Sequence, residues 1–189
     1  ETSSAVTGEQ PVAPSAIIDP TMPEQPRALN TEEIENLEDQ FAAAALRAKK
    51  AGFDAIEIHG AHGYLVNQFV SPFSNKRTDS YGGSLRNRAR FALNIVAKTR
   101  ALVGPDYPII YRMSVQEYVE GGLALEEAKA FAQMLEEAGV DMIHCSQGIY
   151  GSIAAVVPPF GVTRGAFVEN AAAIKSVVSI PVSAVGRIN

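Results

Sequence analysis

The sequence is short of several residue types, and each shortage excludes a class of protein. Cys145 is the only cysteine among the 189 residues, which excludes an internal disulfide and any metal site built from several cysteines of this chain. No apolar run approaches the roughly 20 residues that a membrane-spanning helix needs. We therefore expect a reduced, cytoplasmic setting and no membrane partner.

Positive charge is scarce as well. Sixteen lysines and arginines stand against 21 aspartates and glutamates, which gives a formal net charge of −5 at pH 7. A nucleic-acid partner or an anionic membrane would require a basic surface, so we expect neither. The remaining composition, 47% apolar and 20% charged, is typical of a globular domain with a sizeable core.

Prolines are concentrated at the start of the chain. Five of the eleven lie in residues 1–30, which show no periodic apolar pattern and are therefore predicted to form an extended loop or linker. The folded domain is predicted to span residues 31–189. Thr31 is placed to cap its first helix, and Gly52 is placed to end that helix.

Helical and strand patterns alternate through the rest of the chain. After the first helix, strands are predicted at about 54–59, 107–114, 140–146 and 180–185, with helices near 85–103, 125–138 and 167–178. This alternation indicates βα units and a parallel sheet, either in a (β/α)8 barrel or in an open doubly wound sheet. A barrel needs eight units and four are visible, so we expect this chain to be a piece of a larger α/β barrel.

Two of the strands repeat a pattern, "AGFDAIEIH" at 51–59 and "AGVDMIHCS" at 138–146. The alignment places Glu57 and His144 at the same height on the face that points into a barrel. Arg112, on the strand between them, has the same inward parity. Because buried charges need partners, these three residues are predicted to form a cluster.

Histidine is rare too, yet two of the three histidines, His59 and His62, lie within four residues at a strand end. Barrel active sites form at this end of the strands. If the chain turns helically there, both imidazoles face the same way, and two N–H donors would polarise a carbonyl oxygen. Tyr64 could then supply a proton. Simple loop hydrogen bonding is the plain alternative, and a metal site would lack further ligands at suitable spacing.

A resemblance to the old yellow enzyme family is carried by residues 57–91, which read "EIHGAHGYLVNQFVSPFSNKRTDSYGGSLRNRARF". It continues through "YRMS", "EEAGVDMIHCS", "TRGAF" and "IPVSAVGRIN", and so covers nearly all of residues 28–189. Members are FMN-dependent ene-reductases and related NADH:flavin oxidoreductases. The resemblance implies an FMN-binding (β/α)8 barrel, of which this chain would supply strands four to seven.

The resemblance also implies roles for the residues at the strand ends. His59 and His62 match the pair that binds the oxygen of the substrate's electron-withdrawing group. Tyr64 matches the residue that protonates the α-carbon after hydride reaches the β-carbon. Arg112 matches an arginine beside the flavin pyrimidine edge.

The "VGRIN" segment, with Gly186 and Arg187, resembles one of two turns that hold the FMN phosphate. The function implied is reduction of an activated C=C bond, as in enones or enoates, with NAD(P)H as co-substrate. No histidine lies around 149–153 like the one that dienoyl-CoA reductases have after strand six, so dienoyl-CoA substrates are disfavoured.

Two alternatives stay open. The first is an amine dehydrogenase of the same superfamily, and the second is a non-catalytic fragment of such a barrel. We expect the isolated 189-residue chain to be inactive unless it pairs with the missing half of the barrel, and homo-oligomers are equally compatible with the sequence. A 4Fe-4S cluster, present in longer relatives, would be bound only by cysteines beyond residue 189.

Overall fold

The computed structural model describes residues 3–18 and 24–188 of the chain. The predicted loop at the start contains α1 (Ser4–Thr7) and a parallel pair of short strands, β1 (Val12–Ala13) and β2 (Arg27–Ala28). The guanidinium of Arg77 donates hydrogen bonds to the carbonyls of Pro14 at 2.9 Å and Leu29 at 2.6 Å. The start of the chain is therefore docked on the rest of the domain, while residues 19–23 lie outside the described part.

The predicted alternation of helices and strands is observed beyond residue 30. The elements are α2 (Thr31–Lys50), β3 (Ile56–Gly60), α3 (Leu65–Val70), α4 (Leu85–Val103), β4 (Ile109–Ser114), α5 (Leu125–Glu137), β5 (Met142–Ser146), a 3-10 turn (Tyr150–Ser152), α6 (Ile153–Val156), α7 (Val168–Lys175) and β6 (Val182–Ala184). Within residues 3–18 and 24–188, no helix has the length and apolar character needed to cross a bilayer.

The cap of α2 lies one residue earlier than predicted. Asn30, not Thr31, is the N-cap: its side chain accepts the Glu33 N–H at 2.8 Å, and the Glu33 carboxylate accepts the Asn30 N–H at 2.8 Å. This reciprocal capping box satisfies two backbone donors, more than Thr31 alone would. Gly52, with φ of 89°, lies just beyond the end of the helix as predicted.

The four strands β3 to β6 form one parallel sheet in chain order. A doubly wound sheet reverses its strand order at one point, whereas strands of a (β/α)8 barrel always add in the same direction. The uninterrupted order is therefore that of four consecutive barrel units. Its register places Arg112 opposite both His59 and His144.

The two faces of the sheet differ as the sequence predicts. Ile58, Tyr111 and Ile143 are buried on the face covered by helices, where the Tyr111 ring meets the Phe131 ring of α5 at 5.6 Å. The opposite face is less buried and carries ionisable side chains from three strands: Glu57, His59, Arg112 and His144. This face therefore offers the polar groups of a site, while the other supplies the core.

A buried carboxylate joins α3 to the loop after β4. Glu117 is fully buried, and its oxygens accept hydrogen bonds from Asn67 Nδ2 at 3.0 Å, Ser71 Oγ at 2.6 Å and Leu123 N at 2.8 Å. Burial raises the pKa of Glu117, and these hydrogen bonds oppose that rise. Asn67 Oδ1 accepts the Gly63 N–H at 2.7 Å, so the network reaches the loop after β3.

Replacing this carboxylate should be costly. Glu117→Ala leaves three buried donors without their acceptor, so we expect it to lower the free energy of unfolding by roughly 3 kcal/mol or more. Urea denaturation measures the change. Glu120→Ala, an exposed residue of the same loop, is the matched control and should change stability by less than about 0.5 kcal/mol. Equal effects of the two substitutions would contradict the assigned role.

Candidate active site

The three residues predicted to be catalytic lie together at the carboxyl end of β3. His59 is on the strand, and His62 and Tyr64 are in the turn between the strand and α3. The His59 ring centroid is 5.2 Å from that of His62 and 5.1 Å from that of Tyr64. The structure thus brings these side chains within reach of one small molecule.

The turn that gathers them is not the helical turn predicted from the i, i+3 spacing. His62 has φ of 63° and Gly63 φ of 79°, so two successive residues are left-handed. That conformation is strained for histidine and has to be held by its surroundings. Ser114 Oγ accepts the His62 N–H at 2.9 Å and itself donates to Gly148 O at 2.8 Å, which fixes the turn to the neighbouring strand ends.

The His62 ring is held by a second serine. Its Nε2 lies 2.7 Å from Ser146 Oγ, at the end of β5. A neutral imidazole has one donor and one acceptor nitrogen, and a serine hydroxyl can either donate or accept, so this contact holds the His62 ring in either tautomer. Burial, together with the positive charge of Arg112, lowers the pKa of His62 to about 4 and also lowers the pKa of His59. Both rings are therefore neutral at neutral pH.

The predicted cluster of Glu57, Arg112 and His144 forms only in part. Glu57 Oε2 lies 2.7 Å from His144 Nδ1, but within the described residues no ion pair joins Arg112 to either of them. The prediction that Glu57 and His144 lie at the same height is wrong, because the register puts His59, not Glu57, level with Arg112 and His144. Arg112 Nε and His144 Nε2 are both buried without a hydrogen-bond partner among the described residues.

Gly186 and Arg187 lie at the other edge of the sheet, in the turn after β6. Gly186 has φ of 97°, and a Cβ there would lie 2.7 Å from the Phe167 ring, so only glycine fits. Arg187 is also left-handed, and its Nη1 donates to Pro159 O at 2.9 Å. With β4 and β5 between, the structure does not bring this turn together with the histidines.

The unpartnered polar atoms along this edge fit FMN. The unpartnered Arg112 Nε is a donor suited to an oxygen or nitrogen acceptor of a flavin ring. Nδ1 of His144 donates to Glu57, so the unpartnered Nε2 of the neutral ring is an acceptor suited to a flavin N–H. Neutral His59 lies on the neighbouring strand. At Gly186 the Phe167 ring fills the space of a Cβ, so packing alone explains the glycine, and this position adds no separate evidence for a phosphate. No group of three potential metal-binding side chains was found within residues 3–18 and 24–188.

The sequence prediction missed Tyr150, whose hydroxyl lies 2.9 Å from the Tyr64 hydroxyl. The two rings meet edge to face with centroids 5.8 Å apart. Ser114 and Ser146 were also missed as the groups that hold His62. The available signal was position: Ser114 and Ser146 end parallel strands and Tyr150 lies in the loop after one, where barrel side chains face the site.

Comparison with known sequences identifies the family. The NADH:flavin oxidoreductase / NADH oxidase family matches residues 2–189. An NADH oxidase of Thermoanaerobacter brockii is 50% identical across all of this chain, which covers 29% of that protein. An NADPH dehydrogenase of Halalkalibacterium halodurans is 46% identical, and the match covers 94% of this chain and 50% of the dehydrogenase. The chain thus spans half or less of these curated relatives.

Solved structures agree. Histamine dehydrogenase from Rhizobium sp. 4-9 is similar with a TM-score of 0.85 and 37% identity, over 97% of this chain and 27% of that chain. The old yellow enzyme homologue from Zymomonas mobilis is similar with a TM-score of 0.76 and 29% identity, over 96% of this chain and 52% of that chain. The chain therefore belongs to the NADH:flavin oxidoreductase / NADH oxidase family, the old yellow enzymes, and forms part of their (β/α)8 barrel.

Proposed function

We propose that the protein is an FMN-dependent oxidoreductase that uses NAD(P)H to reduce the C=C bond of α,β-unsaturated carbonyl compounds. The observation that carries this proposal is the meeting of two neutral imidazoles and a tyrosine hydroxyl at one strand end. FMN, when bound, supplies the two electrons as a hydride. The residues of this chain bind the carbonyl, orient it and deliver the proton.

The two histidines bind the carbonyl oxygen. We take Ser146 as the donor to His62 Nε2, which leaves the His62 proton on Nδ1 as a donor to substrate. Neutral His59 supplies a second N–H. Two fixed donors on one oxygen withdraw electron density from the conjugated C=C bond and stabilise negative charge as it develops on that oxygen.

Tyr64 delivers the proton. Its side chain is partly exposed and packs against the His59 ring, so its hydroxyl is accessible to a molecule held by the histidines. Protonation of the α-carbon completes the saturated product. Arg112 and the Gly186 turn are proposed to hold FMN, where a fixed cation favours negative charge on the ring.

Amine oxidation is the second candidate, favoured by the similarity to histamine dehydrogenase. The carbonyl-binding arrangement of the histidines supports C=C reduction instead. Assays with cyclohexenone and with histamine separate the two, and they use the complete FMN-loaded barrel, as do all activity experiments below. Turnover of the amine alone would exclude the first proposal.

Tyr64→Phe should separate the two half-reactions. We expect it to slow reduction of cyclohexenone by roughly 100-fold or more, because the general acid is lost, while reduction of the flavin by NAD(P)H keeps its rate. Stopped-flow absorbance measures each half-reaction. Tyr107→Phe is the control, since the Tyr107 hydroxyl donates to Phe53 O away from the site, and it should change neither rate. An equal decrease in the rates of both half-reactions would show that Tyr64 is not the proton donor.

Removing the histidines should weaken carbonyl binding. The double variant His59→Ala, His62→Ala loses two donors to one oxygen, so we expect the Kd for cyclohexanone to rise roughly tenfold or more. Titration of the oxidised flavin spectrum measures it, and FMN fluorescence shows whether the cofactor is retained. If the variant retains FMN and its affinity for cyclohexanone is unchanged, the two histidines do not bind the carbonyl oxygen.

A further inference from the structure

The Tyr64 hydroxyl is hydrogen-bonded to a second tyrosine hydroxyl, that of Tyr150. Tyr150 reaches it from a loop 86 residues further along the chain, with 2.9 Å between the two oxygens and an angle of 80° between the rings. We propose that Tyr150 is a proton-relay residue that acts through Tyr64. The inference rests on the proposed function and assigns Tyr150 the donor role in this hydrogen bond.

The loop that carries Tyr150 is held in place. Ile149 forms a parallel bridge with His62. Ser152 Oγ accepts the Ile149 N–H at 2.9 Å and donates to Glu117 O at 2.6 Å. The backbone on both sides of Tyr150 is therefore tied to the turn that carries the histidines and to the buried carboxylate network. The Tyr150 ring is therefore in position before substrate binds, and binding does not have to order it.

The donor direction has a chemical consequence. When the Tyr150 O–H donates to the Tyr64 oxygen, the proton of Tyr64 is free to be aimed at the substrate. As the Tyr64 O–H bond breaks and the new C–H bond forms, the bonding pair stays on the Tyr64 oxygen. A hydrogen bond to an oxygen that becomes charged is stronger than one between neutral groups. The proton of Tyr150 then passes to Tyr64, and water restores Tyr150.

A hollow beside Tyr150 has room for the water molecule that would restore its proton. This small hollow of about 30 Å³ has Tyr150, Gly63, Asn67, Ser71 and Glu117 among its lining residues. The lining is mixed, but the side chains of Asn67, Ser71 and Glu117 supply polar atoms, and the space is sufficient for one water molecule. Water there would contact the Tyr150 side of the pair, while Tyr64 faces the substrate.

Tyr150→Phe tests the relay because it removes the hydroxyl and keeps the ring contact. We expect cyclohexenone reduction to slow roughly 10- to 100-fold, as for loss of a hydrogen bond to a charged group. Reduction of the flavin by NAD(P)H and its reoxidation by ferricyanide, which need no proton on carbon, should keep their rates. Slowing of all three processes together would indicate a structural role and overturn the relay.

A double-mutant cycle excludes an indirect effect. In the Tyr64→Phe background, Tyr150→Phe should have no further effect on cyclohexenone reduction, because the relay has nothing to act through. The solvent deuterium isotope effect on this half-reaction should rise in Tyr150→Phe and not in Tyr107→Phe. Additive losses in the cycle would overturn the proposal.

The unfolding free energies of the same four proteins give a second cycle that needs no substrate. If the unfolding free energies show coupling between the two hydroxyls but the wild-type protein does not reduce cyclohexenone, the proposed function is wrong. The hydrogen bond between the tyrosines is then still supported. Absence of coupling in both cycles would overturn the relay.

Discussion

The site depends on one buried carboxylate. The carboxylate of Glu117 accepts hydrogen bonds from Asn67 of α3 and from Ser71, the residue after that helix. Its backbone carbonyl accepts one from Ser152, which follows β5. Asn67 in turn holds the Gly63 N–H. A fully buried acceptor is costly unless its donors are in place, so the loops that supply them have little freedom. The two tyrosines meet because both loops are fixed to this residue.

Burial also sets the chemistry of the histidines. A left-handed His62, held by Ser114, places its ring against Ser146 rather than in solvent, and desolvation together with Arg112 keeps it neutral. With Ser146 as the proposed donor to Nε2, the neutral ring has one donor nitrogen, Nδ1, whereas an imidazolium would have two. The arrangement therefore suits recognition of a neutral carbonyl oxygen, with negative charge stabilised only as it develops.

Local patterns in the sequence predicted one part of this structure and carried no signal for another. Apolar periodicity indicated the βα units, and position at a strand end indicated His59 and Tyr64, which the structure brings together. The left-handed turn at His62, its contact with Ser146 and the tyrosine pair arise from contacts between distant segments, which local spacing does not encode. The Asn30 cap is different: its partner Glu33 is three residues away, and the capping box was readable from the sequence.

The order of the strands divides the proposed chemistry along the sheet. The proposed oxygen-binding histidines and Tyr64 lie at the end of β3 and in the turn after it, and Tyr150 follows β5. Arg112 lies on β4 between them, and the glycine turn lies beyond β6. Because parallel strands end at one edge, side chains from loops far apart in sequence meet there without a long connection. Tyr64 and Tyr150 meet through such an arrangement. The proposed proton donor and its tyrosine partner thus come from segments that follow strands, whereas Arg112, proposed to contact the flavin, lies within one.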